Sequence, residues 1–145
     1  MNPELIFKLS AALATLGWFI LFFISPFWYR GDRFVIGIVI GLLTIIYTWL
    51  AIENFEVSII REMFSLEGFA NLFNDKRLAV TGWVHYMALD LLAGVWIKKN
   101  SFKHGIPHWV TLICLVLTMA AAPVGIIAFL IIRSFYTKQY FSENF

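Results

Sequence analysis

The sequence is poor in charged residues and in cysteine. Asp, Glu, Lys and Arg make up 14% of the 145 residues, whereas 61% are hydrophobic. A soluble domain usually contains about 25% charged residues. This departure, together with several long apolar runs, indicates an integral membrane protein. The single cysteine, Cys114, lies in an apolar run, and its isolation excludes an intramolecular disulfide.

The sequence also lacks the patterns that mark nucleic-acid, nucleotide and metal sites. The net charge of +2 is spread over the loops without a basic stripe, and there is no glycine-rich phosphate loop or zinc-ligand spacing. We therefore expect no nucleic-acid partner, no metal and no cofactor. The first apolar run is longer than a signal-peptide core and has no small-residue cleavage site, so we interpret it as a retained membrane anchor.

Four long apolar stretches predict an all-α fold, namely a polytopic membrane bundle of four transmembrane helices that forms a single domain over residues 1–145. Since about 20 apolar residues span the hydrocarbon core, we place these helices at about 4–27, 34–52, 79–97 and 108–133. In the connection 53–78, acids and bases alternate with bulky apolar residues, and helical spacing relates Phe55, Ile59, Met63 and Leu66. This segment predicts one or two short amphipathic helices in the membrane interface, broken near Gly68.

Small residues at helical spacing predict close helix packing in three of the four spans. The sets are Ser10, Ala14 and Gly17 in the first span; Gly37, Gly41, Thr44 and Thr48 in the second; and Thr111, Cys114, Thr118, Ala121 and Gly125 in the fourth. Pro123 interrupts the fourth span, where a proline frees a backbone carbonyl and bends the axis, as is often found beside cavities. Four complete spans would place both termini on the same side of the membrane.

The third predicted helix contains ionisable residues well inside its ends. A charged Asp near the middle of a membrane helix costs about 2.5–3.5 kcal/mol on insertion-derived scales and normally faces the bundle interior. At about 100° per residue, Trp83, Tyr86 and Asp90 share one face, whereas His85 lies about 140° from Asp90. Tyr86 and Asp90 are thus an i, i+4 pair in which the phenol is placed to donate to the carboxylate. Tyr47 on the second helix offers a further hydroxyl.

Three interpretations of Asp90 remain open at this point. In the first, burial favours the neutral carboxyl, which donates a structural hydrogen bond across the bundle. In the second, the same carboxyl donates or accepts a proton during the conversion of a lipophilic substrate. In the third, it belongs to a proton or cation path through the membrane.

Two short motifs resemble a known family. Trp83-Val84-His85 followed by Asp90-Leu91, and then Pro123-Val124-Gly125-Ile126 in the fourth apolar segment, resemble the neoxanthin-synthase-like family. This is the abscisic-acid-deficient-4-like group of small four-helix membrane proteins. The run from Leu66 to Phe73 is also similar to the segment before the third helix in bacterial members. The motifs lie within about residues 60–133, and the number and size of the helices extend the resemblance to the whole chain.

The resemblance implies a function on a membrane lipid or carotenoid. Plant members are implicated in turning violaxanthin into neoxanthin, an isomerisation in which an epoxide opens and an adjacent carbon loses a proton. Such chemistry needs a general acid and a base, and on this basis we expect Asp90 to be the acid and His85 the base. The remaining site residues implied are Tyr86, Trp83 and Tyr47 around the substrate, with Pro123 and Gly125 in a structural role at the cavity wall.

The alternative is a protein without catalytic activity. It would be a pigment- or lipid-binding bundle, a homo-oligomer, or an accessory subunit packed against a larger membrane complex. The aromatic content of 18% suits contacts with lipid, pigment or protein. Because the chain lacks the plastid-targeting extension of the plant members, we expect a location in a bacterial inner membrane.

Overall fold

The computed structural model describes residues 2–28 and 30–138, and within these residues every regular element is a helix. In this part of the chain three helices are long and apolar enough to span a membrane, namely α1 (Pro3–Ile24), α2 (Gly31–Glu53) and α5 (Lys76–Lys103). Two short helices, α3 (Val57–Glu62) and α4 (Leu66–Leu72), connect α2 to α5. Two further apolar helices, α6 (His108–Ala120) and α7 (Ala122–Thr137), follow α5. The prediction of an all-α fold is confirmed, and the three spans support its assignment as a membrane protein.

Local sequence explains where α1 begins and ends. The side chain of Asn2 accepts a hydrogen bond from Glu4 N at 3.0 Å, and Pro3 occupies the first helical position, where its missing N–H costs nothing. The last turn, Ile20–Ile24, is π-helical. Pro26 then follows and has no N–H with which to continue the helix. The helix therefore ends at Ile24, somewhat before the predicted end at residue 27.

The helices α1 and α5 run parallel and pack closely through small residues. The Phe7 and Trp83 rings are 4.8 Å apart near one end of the pair. Farther along, a Cβ on Gly94 would lie 2.9 Å from the Trp18 ring. The expected small face of α1 is confirmed, because Ser10, Ala14 and Gly17 are all buried. These small residues let the two backbones approach each other without a hydrophobic driving force, as membrane helices require.

The predicted packing seam on α2 is wrong. A Cβ on Gly37 would meet no described atom within 4 Å, and Thr44 and Thr48 are exposed. The hydroxyl of Thr48 instead donates to Thr44 O at 2.8 Å, which satisfies it within its own helix. The opposite face packs into the core through bulkier side chains, namely Val35, Val39, Leu43 and Leu50. A π-helical stretch at Val35–Ile40 also changes the number of residues per turn, so a regular helical projection does not apply there.

The predicted fourth span, 108–133, is divided at Ala121. This residue has extended backbone angles, φ −160° and ψ 103°, so α6 ends before it and α7 begins after it. At ~1.5 Å per residue, α6 and α7 are about 20 Å and about 24 Å long. Each is shorter than the hydrocarbon core of about 30 Å. The expected fourth transmembrane helix is therefore replaced by two shorter helices.

Contacts with α5 show that the chain reverses its direction at this break. The contacting pairs are Lys98 with His108, Tyr86 with Ala120, and Trp96 with Phe129. The first two pairs make α6 antiparallel to α5, whereas the second and third make α7 parallel to it. We call residues 108–137 the α6–α7 hairpin. The expectation that both termini lie on one side depended on a single fourth span and therefore loses its basis.

The connection between α2 and α5 contains two short helices, as predicted, but the break is not at Gly68. The chain turns at residues 63–65, and the Ser65 hydroxyl then accepts a hydrogen bond from Gly68 N at 3.0 Å as the N-cap of α4. A Cβ on Gly68 would lie 2.6 Å from Glu62 O. This glycine is therefore needed for a close approach in the first turn of α4. The third span, Lys76–Lys103, is longer than the predicted 79–97 at both ends, and Asp75 caps its start by accepting a hydrogen bond from Arg77 N.

His108, which lies outside the three spans, joins α1, α5 and α6. Its Nε2 donates to Phe22 O at 2.9 Å, and Lys98 Nζ donates to its Nδ1 at 3.0 Å. Phe22 lies in the π-helical turn, where residue 27 would be the donor to its carbonyl, but Phe27 N donates to Ile24 O instead. Pro26, at the α-helical donor position four residues on, has no N–H. His108 thus supplies the missing donor. Burial lowers the pKa of His108 and the Lys98 charge lowers it further, against the opposing effect of the Phe22 bond.

Candidate functional site: a cleft beside the third span

A cleft of about 570 Å³ lies between α2, α5 and the two short helices. We call it the interfacial cleft. Most of its wall is apolar, and the connecting segment contributes Phe55, Ile59, Met63, Phe69, Leu72 and Phe73. Clefts of roughly 300–1,000 Å³ with mainly apolar walls and few polar groups are typical of small-molecule sites. Its shape and lining therefore suit an apolar ligand.

Three of the residues selected from the sequence meet in the interfacial cleft. Tyr47 on α2 and His85 and Tyr86 on α5 all line it. The rings of Tyr47 and His85 face each other with centroids 5.0 Å apart and an interplanar angle of 46°. His85 is exposed, so its imidazole is accessible to a ligand. The cleft thus combines a hydrocarbon surface with a small polar wall formed by α2 and α5.

Tyr86 links the cleft to the break between α6 and α7. Its hydroxyl donates to Ala120 O at 3.0 Å. This carbonyl belongs to the last residue of α6, where the helix itself provides no further N–H donor. The same hydroxyl also interacts with the Asp90 carboxyl one helical turn away. We expected the phenol to donate to Asp90, but its single hydrogen is directed to Ala120.

Asp90 is buried behind Tyr86. Only 3% of its surface is exposed, and the described lining of the cleft does not include it. Its Oδ2 atom has no hydrogen-bond partner within residues 2–28 and 30–138. The structure therefore separates Asp90 from His85, as the helical projection predicted. Tyr86 is in the cleft wall and interacts with Asp90, so it is the connection between them.

The remaining residues selected from the sequence lie elsewhere. Trp83 packs between Phe7 and Tyr86, at ring distances of 4.8 Å and 6.3 Å. Pro123 is in the first turn of α7, and Gly125 is buried, with its Cα so close to Thr118 that a Cβ would lie 2.6 Å from the Thr118 Cα. In the described structure none of the three lines the interfacial cleft. Pro123 and Gly125 shape the hairpin, not the cleft wall.

Sequence reasoning missed part of the cleft that α4 provides. Phe69 and Phe73 line it as an i, i+4 aromatic pair with centroids 5.2 Å apart. Their spacing was a usable signal, because it places both rings on one helix face. The apolar face predicted from Phe55 to Leu66 was correct at three of its four residues. Phe55, Ile59 and Met63 do line the cleft, whereas Leu66 is exposed.

The arrangement of donors also limits what the site can hold. Among the described residues, no three His, Cys, Asp or Glu side chains converge on one point. A protein-held zinc centre needs at least three such ligands. The chemistry that the described residues themselves offer is hydrogen bonding and proton transfer through imidazole, phenol and carboxyl groups.

Comparison with known proteins identifies the family. No curated protein and no solved structure matches the chain. The model of the ABA DEFICIENT 4-like family matches residues 5–129. This range includes nearly all of the three spans, the interfacial cleft and the first half of α7. It confirms the resemblance inferred from the motifs around Trp83 and Pro123. The chain belongs to the ABA DEFICIENT 4-like family.

Proposed function

We propose that this protein binds a carotenoid or a related membrane isoprenoid in the interfacial cleft and isomerises it by proton transfer. The observation that supports binding is the apolar cleft with Tyr47, His85 and Tyr86 on one wall. A long hydrocarbon that carries an oxygen on its end ring matches this distribution, because the chain contacts the apolar wall while the oxygen meets the polar one. The flat rings of Tyr47 and His85 suit stacking against a conjugated chain.

In the proposed reaction His85 is the base and Asp90 is the source of the acidic proton. Since the Tyr86 hydrogen is used by Ala120 O, the phenol oxygen is free to accept, and Asp90 interacts with it as a neutral donor. When a ligand oxygen replaces Ala120 O as the acceptor, Tyr86 passes its proton to the ligand and receives one from Asp90. The acid therefore acts through Tyr86 and not by direct contact.

The bonds in this step balance without a redox partner. The epoxide oxygen gains a proton and its C–O bond breaks, while His85 removes a proton from the adjacent carbon and a new C=C bond forms. Substrate and product contain the same atoms. His85 then holds the proton taken from the carbon and Asp90 lacks one, so the site is reset when a proton passes from His85 to Asp90 through the Tyr86 hydroxyl. General acid and base catalysis of this kind contributes typically 10²–10⁴-fold to a rate.

The test uses the full chain in lipid nanodiscs with an epoxy-carotenoid as the probe. Bound pigment is measured by absorption and the product by chromatography. His85→Gln and Asp90→Asn are expected to lower product formation by about 10²-fold or more while pigment binding persists. His104→Gln and Glu67→Gln are the controls, since neither residue lines the cleft in the described structure. Unchanged product formation in both site variants would refute the acid and base assignments.

A binding protein without catalysis is the second candidate, and the burial of Asp90 away from the cleft favours it. Its signature is a pigment that co-purifies with the wild type in unchanged chemical form and is not converted on incubation. If the wild type binds no polyene at all, the cleft proposal fails. A colourless protein that co-purifies with a larger membrane complex would support the accessory-subunit alternative instead.

A further inference from the structure

The connection between α2 and α5 begins and ends at the same surface of the bundle. The helices α2 and α5 are antiparallel neighbours, because Tyr47 contacts His85 near one end and Asp32 pairs with Lys99 at 3.7 Å near the other. Both are long and apolar enough to span a membrane. The connection therefore leaves the membrane surface after Glu53 and returns to it at Lys76, so α3 and α4 are tethered to that surface on both sides.

The turn between α3 and α4 exposes large apolar side chains. Phe64 and Leu66, on either side of the N-cap residue Ser65, are 87% and 86% exposed. A turn that faces water usually contains small and polar residues. The charged residues nearest to this turn, Glu62 and Glu67, lie within α3 and α4 and not at the turn itself.

The inner side of the same two helices faces the interfacial cleft. Ile59 and Met63 on one side of the turn, and Phe69 on the other, line the interfacial cleft. The apolar residues at the turn are thus a second apolar surface that the described bundle leaves uncovered. Its position favours lipid as the occupant, because the two spans that this segment joins hold it at the membrane surface on both sides.

We propose that Phe64 and Leu66 insert into the lipid leaflet beside the bundle, so that α3 and α4 form a membrane-anchored cover over the interfacial cleft. The cleft then opens toward lipid, and its ligand enters from the bilayer and not from water. The entry route rests on the proposed function, whereas the insertion of the turn does not. A shallow amphipathic contact of this kind buries side chains only to the headgroup and acyl boundary.

The insertion is tested with spin labels in nanodiscs without any ligand. The only native cysteine, Cys114, is fully buried, and Cys114→Ala provides the background for Phe64→Cys and Leu66→Cys. Labels at these two positions are expected to be several-fold more accessible to oxygen than to a water-soluble nickel complex. Glu62→Cys and Glu67→Cys are matched controls and are expected to show the opposite preference. Equal access of the nickel complex to all four labels would overturn the insertion.

The route by which the ligand enters the cleft is tested by a separate experiment. The double change Phe64→Asp and Leu66→Asp is expected to slow pigment loading from vesicles several-fold and to leave binding from detergent solution unchanged. Both side chains are exposed, so the substitutions leave the packed core intact. If loading from vesicles is unaffected although the labels show insertion, lateral entry is wrong. If no polyene binds even from detergent, the function proposed for the cleft fails while the insertion result stands.

Discussion

Replacement of His108 by alanine tests whether this side chain compensates for the proline that ends α1. In the wild type, His108 Nε2 donates to Phe22 O at 2.9 Å in a partly buried position. The variant leaves this carbonyl without its donor, since Pro26 supplies none. An unsatisfied buried acceptor costs about 1–3 kcal/mol. We expect the free energy of unfolding to fall by that amount, measured by denaturant titration in mixed micelles.

A second substitution separates this mechanism from a simple loss of packing. Pro26→Ala provides an N–H four residues after Phe22, which is the α-helical donor position for that carbonyl. In this background His108→Ala is expected to cost less than in the wild type, with a coupling energy of about 0.5–3 kcal/mol in a double-mutant cycle. Equal costs in the two backgrounds would show that His108 and Pro26 act independently, and the reasoning would be refuted.

The same site predicts a dependence of stability on pH. Burial and the Lys98 charge hold the pKa of His108 below its ordinary value of 6.5, so the unfolded chain binds a proton more readily than the folded one. The contribution of His108 is complete above pH 6.5 and is lost as the pH falls from there toward the folded-state pKa. His108→Gln is expected to flatten this part of the stability profile. A profile that keeps the wild-type slope would contradict the assignment.

Two further substitutions probe the α6–α7 hairpin by the same denaturant titration. Gly125→Ala places a Cβ against the backbone and hydroxyl of Thr118, and this overpacking is expected to lower the free energy of unfolding by about 1–3 kcal/mol or more. The control Gly37→Ala places its Cβ in open space. It is expected to leave the free energy of unfolding unchanged or to raise it by up to ~1 kcal/mol. Equal effects of the two glycine substitutions would argue against the close approach. Tyr86→Phe leaves Ala120 O without its donor and is expected to cost about 0.5–1.5 kcal/mol, and a cost near zero would argue against its role at the end of α6.

The positions of the helices were predictable because a membrane restricts the choice of backbone structure. Hydrocarbon offers no hydrogen-bond partners, so long apolar runs must form helices. The start of α1 was also readable from Asn2 and Pro3, whose effects are local. The small face with Ser10, Ala14 and Gly17 was correctly assigned to packing. It could be identified because the three small residues recur at the spacing of one helix face.

The packing face of α2 was not predictable by the same argument. Both of its faces are apolar enough for lipid or for the core, so hydrophobic periodicity does not choose between them. The hydroxyls of Thr44 and Thr48 predict an interior position, yet a threonine in a helix can satisfy its hydroxyl on its own backbone. The π-helical stretch at Val35–Ile40 then rotates the later residues relative to a regular helix. Neither effect leaves a clear mark in composition.

The reversal at Ala121 depends on partners that are distant in the sequence. Pro123 signals a disturbance of the fourth apolar stretch, but a proline alone is equally compatible with a kinked, continuous span. The chain can turn back because Tyr86, 34 residues earlier, supplies a donor to Ala120 O, and because Gly125 allows α7 to approach Thr118. The residue that stabilises this turn is also the residue that joins Asp90 to the interfacial cleft. A ligand that accepts a hydrogen bond from Tyr86 would therefore compete with Ala120 O at the end of α6. The motif around His85 and Asp90 could not predict this competition, because Ala120 lies far from it in the sequence.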